Sequence, residues 1–289
     1  MKTLNASMGV LALACLLSFS SCFGPGLPAQ KLRIKTFTWE GTLFQAQYNP
    51  YGMLTRLQGN DRRIDFLYDE NEKLYRSEII INGEAIPSAR YDFTQGPLGI
   101  TQIRIYFAMS GQLHLTDIKT VHYISPTKFS SILEQEVSDE GDSIHVTFEL
   151  DRQFTYRGNN VASITTIPAF TEYNAFTYDQ KRNPFMLLAE AVGNPAFFPA
   201  GDFVNFPVRP YNIPLITVFS ENNPIAAQYG TVGYPNSVDW QNFKYIYDNG
   251  LVKQIIWYDN YQNLYFQTRT FKFEYEWASC LPHVHHENK

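Results

Sequence analysis

Histidine is the first place to look for chemistry, and the chain has six. His283, His285 and His286 crowd the C-terminus beside Glu287, a spacing that could catch a transition metal. A frayed polar tail holding adventitious ions is the plainer reading. His114, His122 and His145 sit in strand-like runs and read as surface or satisfied strand residues. A nucleophile, a base and an orienting group do not emerge together, and the chain has no Gly-x-Ser-x-Gly, His-Glu-x-x-His or P-loop. Asp139, Glu140 and Asp142 could approach calcium, but an EF-type loop needs a longer alternating ligand series, so a solvated turn is expected. No metal and no cofactor is expected. Five aromatic residues in a proline-rich stretch, Phe197, Phe198, Phe203, Phe206 and Tyr211, could offer stacking platforms to a glycan or peptide; filling a core is the competing role. Glycoside cleavage needs two carboxyls at a defined separation. Glu172, Glu190 and Asp239 are the candidates for that alternative, a polysaccharide-acting hydrolase. The preferred expectation is a non-catalytic chain.

The N-terminus gives an address. Lys2 precedes an uncharged apolar run, Met8 to Phe19, that is too short to span a bilayer as a helix of about 20 residues. Ser20, Ser21 and Cys22 follow, in the manner of a lipobox, with Phe19 where that box usually carries Leu. Residues 1–21 are therefore expected to be a cleaved lipoprotein signal peptide. Cys22 becomes the lipidated residue, and residues 22–30, rich in Gly and Pro, form a flexible tether. An ordinary secretory signal, or cleavage ahead of Cys15, are the competing readings. Multiple acyl chains give stable anchoring where one chain does not. Cys22 and Cys280 are then the remaining cysteines, so no disulfide is available and stability must come from a core. Loss of Lys2 takes the formal charge from -5 to -6, which offers no attraction to nucleic acid. In an exported chain, Asp142-Ser143-Ile144 resembles the Asp-Ser/Thr-apolar sequon of envelope O-glycosylation, making Ser143 a candidate site. No acidic residue follows Cys22 closely, so the periplasmic face of the outer membrane is favoured over the cell surface.

These features must be positioned by sheets. Aromatic residues make up 16% of the chain and favour half-buried pleated surfaces. Phe271, Phe273, Tyr275 and Trp277 alternate with Lys272, Glu274 and Glu276. The same period runs through Ile64, Phe66 and Tyr68, through Ile103, Ile105 and Phe107, and through Ile144, Val146, Phe148 and Leu150. Asn49-Pro50-Tyr51-Gly52, Asp69-Glu70-Asn71-Glu72, Gly158-Asn159-Asn160 and Asp248-Asn249-Gly250 supply turns. Residues 185–192 read as a helix stopped by Gly193-Asn194-Pro195. The expected fold is all-β, an antiparallel meander of repeated hairpins forming a large curved or rolled sheet, with at most one or two short helices. It should occupy 31–289, with a possible sub-boundary within 194–224.

A repeated unit supports the meander. Tyr followed by Asp or Asn, a turn, and an apolar return recurs at Tyr48-Asn49, Tyr68-Asp69 and Tyr247-Asp248, with weaker copies at Tyr91-Asp92 and Tyr178-Asp179. Three segments in order, Tyr178-Asp179-Gln180-Lys181-Arg182-Asn183-Pro184-Phe185, Asn222-Asn223-Pro224-Ile225 and Tyr245-Ile246-Tyr247-Asp248-Asn249-Gly250-Leu251, give the chain its resemblance to the YD-type repeat lipoproteins of Gram-negative envelopes. The likeness covers 178–277 well and 40–277 loosely; no Tyr-Asp unit is legible between 93 and 155. The resemblance implies an all-β fold and an envelope location, and it implies no established activity. The resulting expectation is an envelope lipoprotein held to the membrane by its lipid, binding a glycan or peptide or serving as a scaffold.

Overall fold

The computed structural model describes residues 30–39, 41–139, 143–167, 172–194, 220–230, 238–261 and 264–279. Sixteen strands follow one another in chain order. They are β1 (Gln30–Trp39), β2 (Thr42–Tyr48), β3 (Leu54–Gln58), β4 (Arg62–Tyr68), β5 (Leu74–Ile81), β6 (Ala89–Gly96), β7 (Gly99–Met109) and β8 (Gln112–Ser125). Then come β9 (Lys128–Asp139), β10 (Ile144–Arg157), β11 (Asn160–Ile167), β12 (Glu172–Arg182), β13 (Asn222–Gly230), β14 (Val238–Asp248), β15 (Leu251–Tyr261) and β16 (Leu264–Ser279). Each strand pairs antiparallel with the next, and β1 pairs with β16 from Gln30↔Ser279 to Thr38↔Lys272, so the meander closes into a barrel. The flanks of the proline-rich stretch, β12 and β13, pair within this same sheet. The end at which β1 starts and β16 finishes is called proximal; the other is distal.

The turns show why the chain reverses where it does. Asn49 Oδ1 accepts from the backbone N–H groups of Tyr51 and Met53, and Asp69 Oδ1 accepts from those of Asn71 and Lys73. A short acceptor side chain thus satisfies two turn donors. Gly52 and Glu72 take the left-handed conformation at equivalent places. Asn249-Gly250 and Ser110-Gly111 are left-handed pairs linking adjacent register partners, the geometry that matches the twist of a two-residue hairpin.

Inside, Ile34, Leu54, Ile64, Tyr91, Ile103, Phe129, Val161, Phe243, Ile255 and Phe273 belong to one continuous buried cluster. Outside, charge pairs cross between strands, Arg33 with Glu276, Arg56 with Asp65 and Arg76 with Asp92, and run along a single strand, Arg63 with Asp65 and Arg90 with Asp92. The wall is apolar within and charged without.

The helix, α1 (Pro184–Val192), buries seven of its nine residues. Asn183 caps its start by accepting from Phe185 N–H, and left-handed Gly193 ends it, the stop that the sequence anticipates. Phe185 meets Phe271 and Phe273 of β16 edge-on. Just beyond the other end, Asn194 Oδ1 is 3.4 Å from the Tyr123 hydroxyl of β8. Strands β16 and β8 stand on opposite sides of the closed strand order, so the helix lies across the barrel interior as a plug.

Two expectations change. Ile144, Val146 and Phe148 do alternate along β10, but all three are exposed, at 49%, 51% and 42%. Residues 144–149 are exposed on both faces because this part of the β9–β10 hairpin lies at the distal end with no cover. Trp277 continues the inward series of β16 yet is 67% exposed at the proximal rim.

Candidate functional site

The repeat is built around tyrosine hydroxyls at the proximal end. Tyr48 donates to the carbonyl of Ile34, Tyr68 to Leu54, Tyr123 to Ile100, Tyr178 to Val161, Tyr245 to Pro224 and Tyr275 to Val252. Tyr156 accepts from the N–H of Phe129, and Gln95 Nε2 replaces the hydroxyl by donating to Leu74. All eight hairpins, β1–β2 through β15–β16, therefore carry the same clasp. Each clasp residue reaches from the end of its hairpin's second strand back to the first residues of that hairpin, most of them fully buried. A one-residue irregularity in register stands directly before Tyr48, Tyr68, Gln95, Tyr123 and Tyr156, and such bulges re-aim the following side chain.

Burial raises the pKa of each clasp hydroxyl, to about 12 at Tyr123 and Tyr156 and higher elsewhere. The hydroxyls therefore stay protonated, as the donors require.

This geometry revises the repeat. Tyr91-Asp92 is not a turn unit: Tyr91 is buried in mid-strand opposite Ile105, Asp92 pairs with Arg76, and β6 runs on to Gln95 before turning. Tyr245, not Tyr247, is the clasp of its hairpin. The stretch 93–155, where no Tyr-Asp unit is legible, holds the Tyr123 clasp, and Tyr156 follows directly. Their signature is an aromatic residue followed five or six positions later by a buried apolar one, as in Tyr123 and Phe129 or Tyr156 and Val161, a spacing that does not need Asp.

The three ordered motif segments come together in space. Asp179 Oδ1 accepts from Lys181 N–H, and the carboxylate accepts from the backbone and side-chain amides of Asn223 and from the Tyr247 hydroxyl. Asn183 Nδ2 donates to Ser220, Asn222 exchanges hydrogen bonds with Asn160, and Arg182 pairs with Glu190. These residues lock β12, β13, β14 and the helix. Their work is structural.

The charged feature of the inner wall lies on β8, β9 and β10. Lys119, only 5% exposed, has its Nζ 3.5 Å from Glu134 Oε1, and Arg152 Nη1 is 3.0 Å from the same oxygen. Glu134 sits directly opposite Lys119. Removing one partner from such a buried cluster is costly because it strands the others. This patch interrupts the apolar lining on the side that leads to the exposed distal hairpin.

Of the remaining candidates, Ser143 is exposed immediately before β10, its Oγ 2.9 Å from His145 Nε2. Glu172 pairs in register with Gly230, and Asp239 with Tyr229, at the distal end, whereas Glu190 belongs to the proximal helix. The structure does not bring all three carboxylates together. Among the described residues no group of three His, Cys, Asp or Glu could hold a metal ion. Cys22, the aromatic set Phe197, Phe198, Phe203, Phe206 and Tyr211, and the C-terminal histidines lie outside the described residues.

Fold and site thus define a class: a closed sixteen-stranded barrel of eight clasped hairpins, seven held by tyrosine and one by Gln95, with a helical plug. Among solved structures, the chain is similar to a porin-like protein from Bacteroides vulgatus, with a TM-score of 0.51 and 10% identity over 85% of this chain and 99% of that one. A porin-like protein from Bacteroides uniformis aligns with a TM-score of 0.34 and 13% identity over 85% of this chain and 96% of that one. No protein-family model and no curated protein matches the chain.

Proposed function

We propose that this chain is a cell-envelope lipoprotein, tethered through Cys22, whose barrel stands in water as a non-catalytic binding or scaffold module. The observation that carries this reading is the polarity of the wall. A membrane-spanning barrel turns an apolar band outward, and an Arg or Lys facing lipid at mid-membrane costs about 2–4 kcal/mol. Here Arg33, Arg56, Arg76 and Arg90 face outward with carboxylate partners, and the described interior holds mostly apolar side chains and a helix, with the Lys119–Glu134–Arg152 cluster among them. Such a barrel needs an external anchor to stay at a membrane, and the lipobox-like N-terminus supplies one at the proximal end. The distal rim is then presented to the envelope, with the exposed Ile144–Phe148 hairpin beside the Lys119–Glu134–Arg152 patch. A glycan or peptide is the ligand class proposed, and the periplasmic face of the outer membrane is the proposed location.

Protease treatment of intact cells tests the location: protection until the envelope is opened is expected, and digestion on intact cells overturns the periplasmic placement. Incubation of the mature chain with envelope polysaccharides tests the non-catalytic reading. No new reducing ends are expected; their release, lost in Glu172→Gln or Asp239→Asn, would establish the hydrolase instead.

A further inference from the structure

We infer that the proximal rim of the barrel is a membrane-contacting surface, seated on the bilayer that holds the lipid anchor. The inference rests on the proposed lipidation of Cys22. Gln30, the first residue of β1, lies at this rim, and the eight residue-to-residue steps from Cys22 to Gln30 reach at most about 28 Å when fully extended. A connection of that length keeps this rim within its reach of the bilayer surface.

The rim itself carries apolar side chains around much of its circumference. Trp277 on β16 is 67% exposed and Ile124 on β8 is 59% exposed, with Ile246 on β14, Ile225 on β13, Leu98 between β6 and β7, and Tyr75 on β5 also exposed. Arg33–Glu276 and Arg76–Asp92 pair on the outer wall just inside this rim, and the distal rim has exposed apolar residues of its own, Leu43, Met109 and Ile167 beside the Ile144–Phe148 hairpin, so it is the tether that selects the proximal rim. Tryptophan and tyrosine settle at the boundary between headgroups and acyl chains. The tether supplies the high local concentration that lets scattered side chains of individually weak affinity engage. The distal rim, with its own apolar hairpin, is thereby held away from the bilayer.

The test uses the chain from Cys22 onward with Cys280→Ser, coupled through Cys22 to a maleimide lipid on phosphatidylethanolamine and phosphatidylglycerol vesicles containing brominated acyl chains. Quenching of roughly a quarter of the tryptophan emission is expected, one residue of four reaching the interface, and Trp277→Phe should abolish it. An Ile124→Lys, Ile246→Lys variant that retains Trp277 should show reduced quenching. Absence of quenching in the coupled protein, or quenching unchanged by Trp277→Phe, overturns the inference. Because coupling is chemical, this result does not depend on processing in cells. Recovery of Cys22→Ala and wild type alike in the soluble cell fraction would instead overturn the natural anchor.

Discussion

At the residue scale, the tyrosine hydroxyls decide how the wall is held. A clasp that donates to a buried carbonyl should contribute about 0.5–1.5 kcal/mol, and more where loss leaves that carbonyl unpaired. Tyr68→Phe is therefore expected to lower unfolding free energy by about 1 kcal/mol, while Tyr75→Phe, at an exposed site, should leave it unchanged in urea titrations. The raised hydroxyl pKa values also fix a pH dependence. The unfolded chain releases these protons near pH 10, whereas Tyr123 and Tyr156 hold theirs to about 12. The unfolded state then binds fewer protons than the native state, so stability present below pH 10 falls as pH rises through that window. A urea midpoint that is level from pH 7 to 9 and drops above 10 is expected; a midpoint rising above pH 10 would contradict it. Gly99 is a third residue-scale constraint. A Cβ there would stand 2.1 Å from Asn194 Nδ2 and 2.9 Å from the Tyr123 hydroxyl, at a φ of 141° that favours glycine, so Gly99→Ala should destabilise by about 1–3 kcal/mol through overpacking, with backbone strain added. Partial compensation by Asn194→Gly in the double variant would isolate the share due to the Asn194 contact from the backbone strain that remains.

At the element scale, the hairpins were legible and the clasps were not. Alternation in Phe271–Tyr275 and Ile64–Tyr68 reports a buried face because both strands back onto the core. The same alternation in Ile144–Phe148 reports a strand but not burial, since periodicity records which side chains share a face and not whether anything covers it. The helix was readable over 185–192 and its stop at Gly193 because those signals are local, whereas the Asn183 cap one residue ahead of Pro184 was not read. Its position across the barrel was not, because that depends on contacts with β16 and β8, far away in sequence. The Tyr-Asp pattern marked units correctly where Asp or Asn also closes the turn, at Tyr48, Tyr68 and Tyr178. It failed at Tyr91, where the pair lies in mid-strand, and at Tyr123 and Tyr156, where Pro126-Thr127 and Gly158-Asn159 make the turn without it. The plug gives this scale its prediction. Leu188, 1% exposed in mid-helix, should cost about 2–5 kcal/mol when changed to Ala. Asn183→Ala should cost about 1 kcal/mol for the lost cap and more for the stranded Ser220 carbonyl. Thermal unfolding of both variants checks this, and a Leu188→Ala protein as stable as wild type would mean that the helix is not seated as described.

At the scale of the whole molecule, closure brings Gln30 and Ser279 together and places the first and last residues of the sheet at the plugged rim. In the proposed reading, a wall with charge outside and mostly apolar packing inside satisfies itself in water, and membrane association falls to the Cys22 anchor and not to the strands. That division of labour is the central claim, and the most direct test is the state of the Cys22→Ala protein after export. The account predicts a folded chain in the soluble fraction without detergent, retaining the β-rich circular dichroism and cooperative unfolding of the anchored form. A Cys22→Ala protein that stays in the membrane pellet, and leaves it folded only in detergent, would contradict it and mark the strands themselves as the membrane-embedded part.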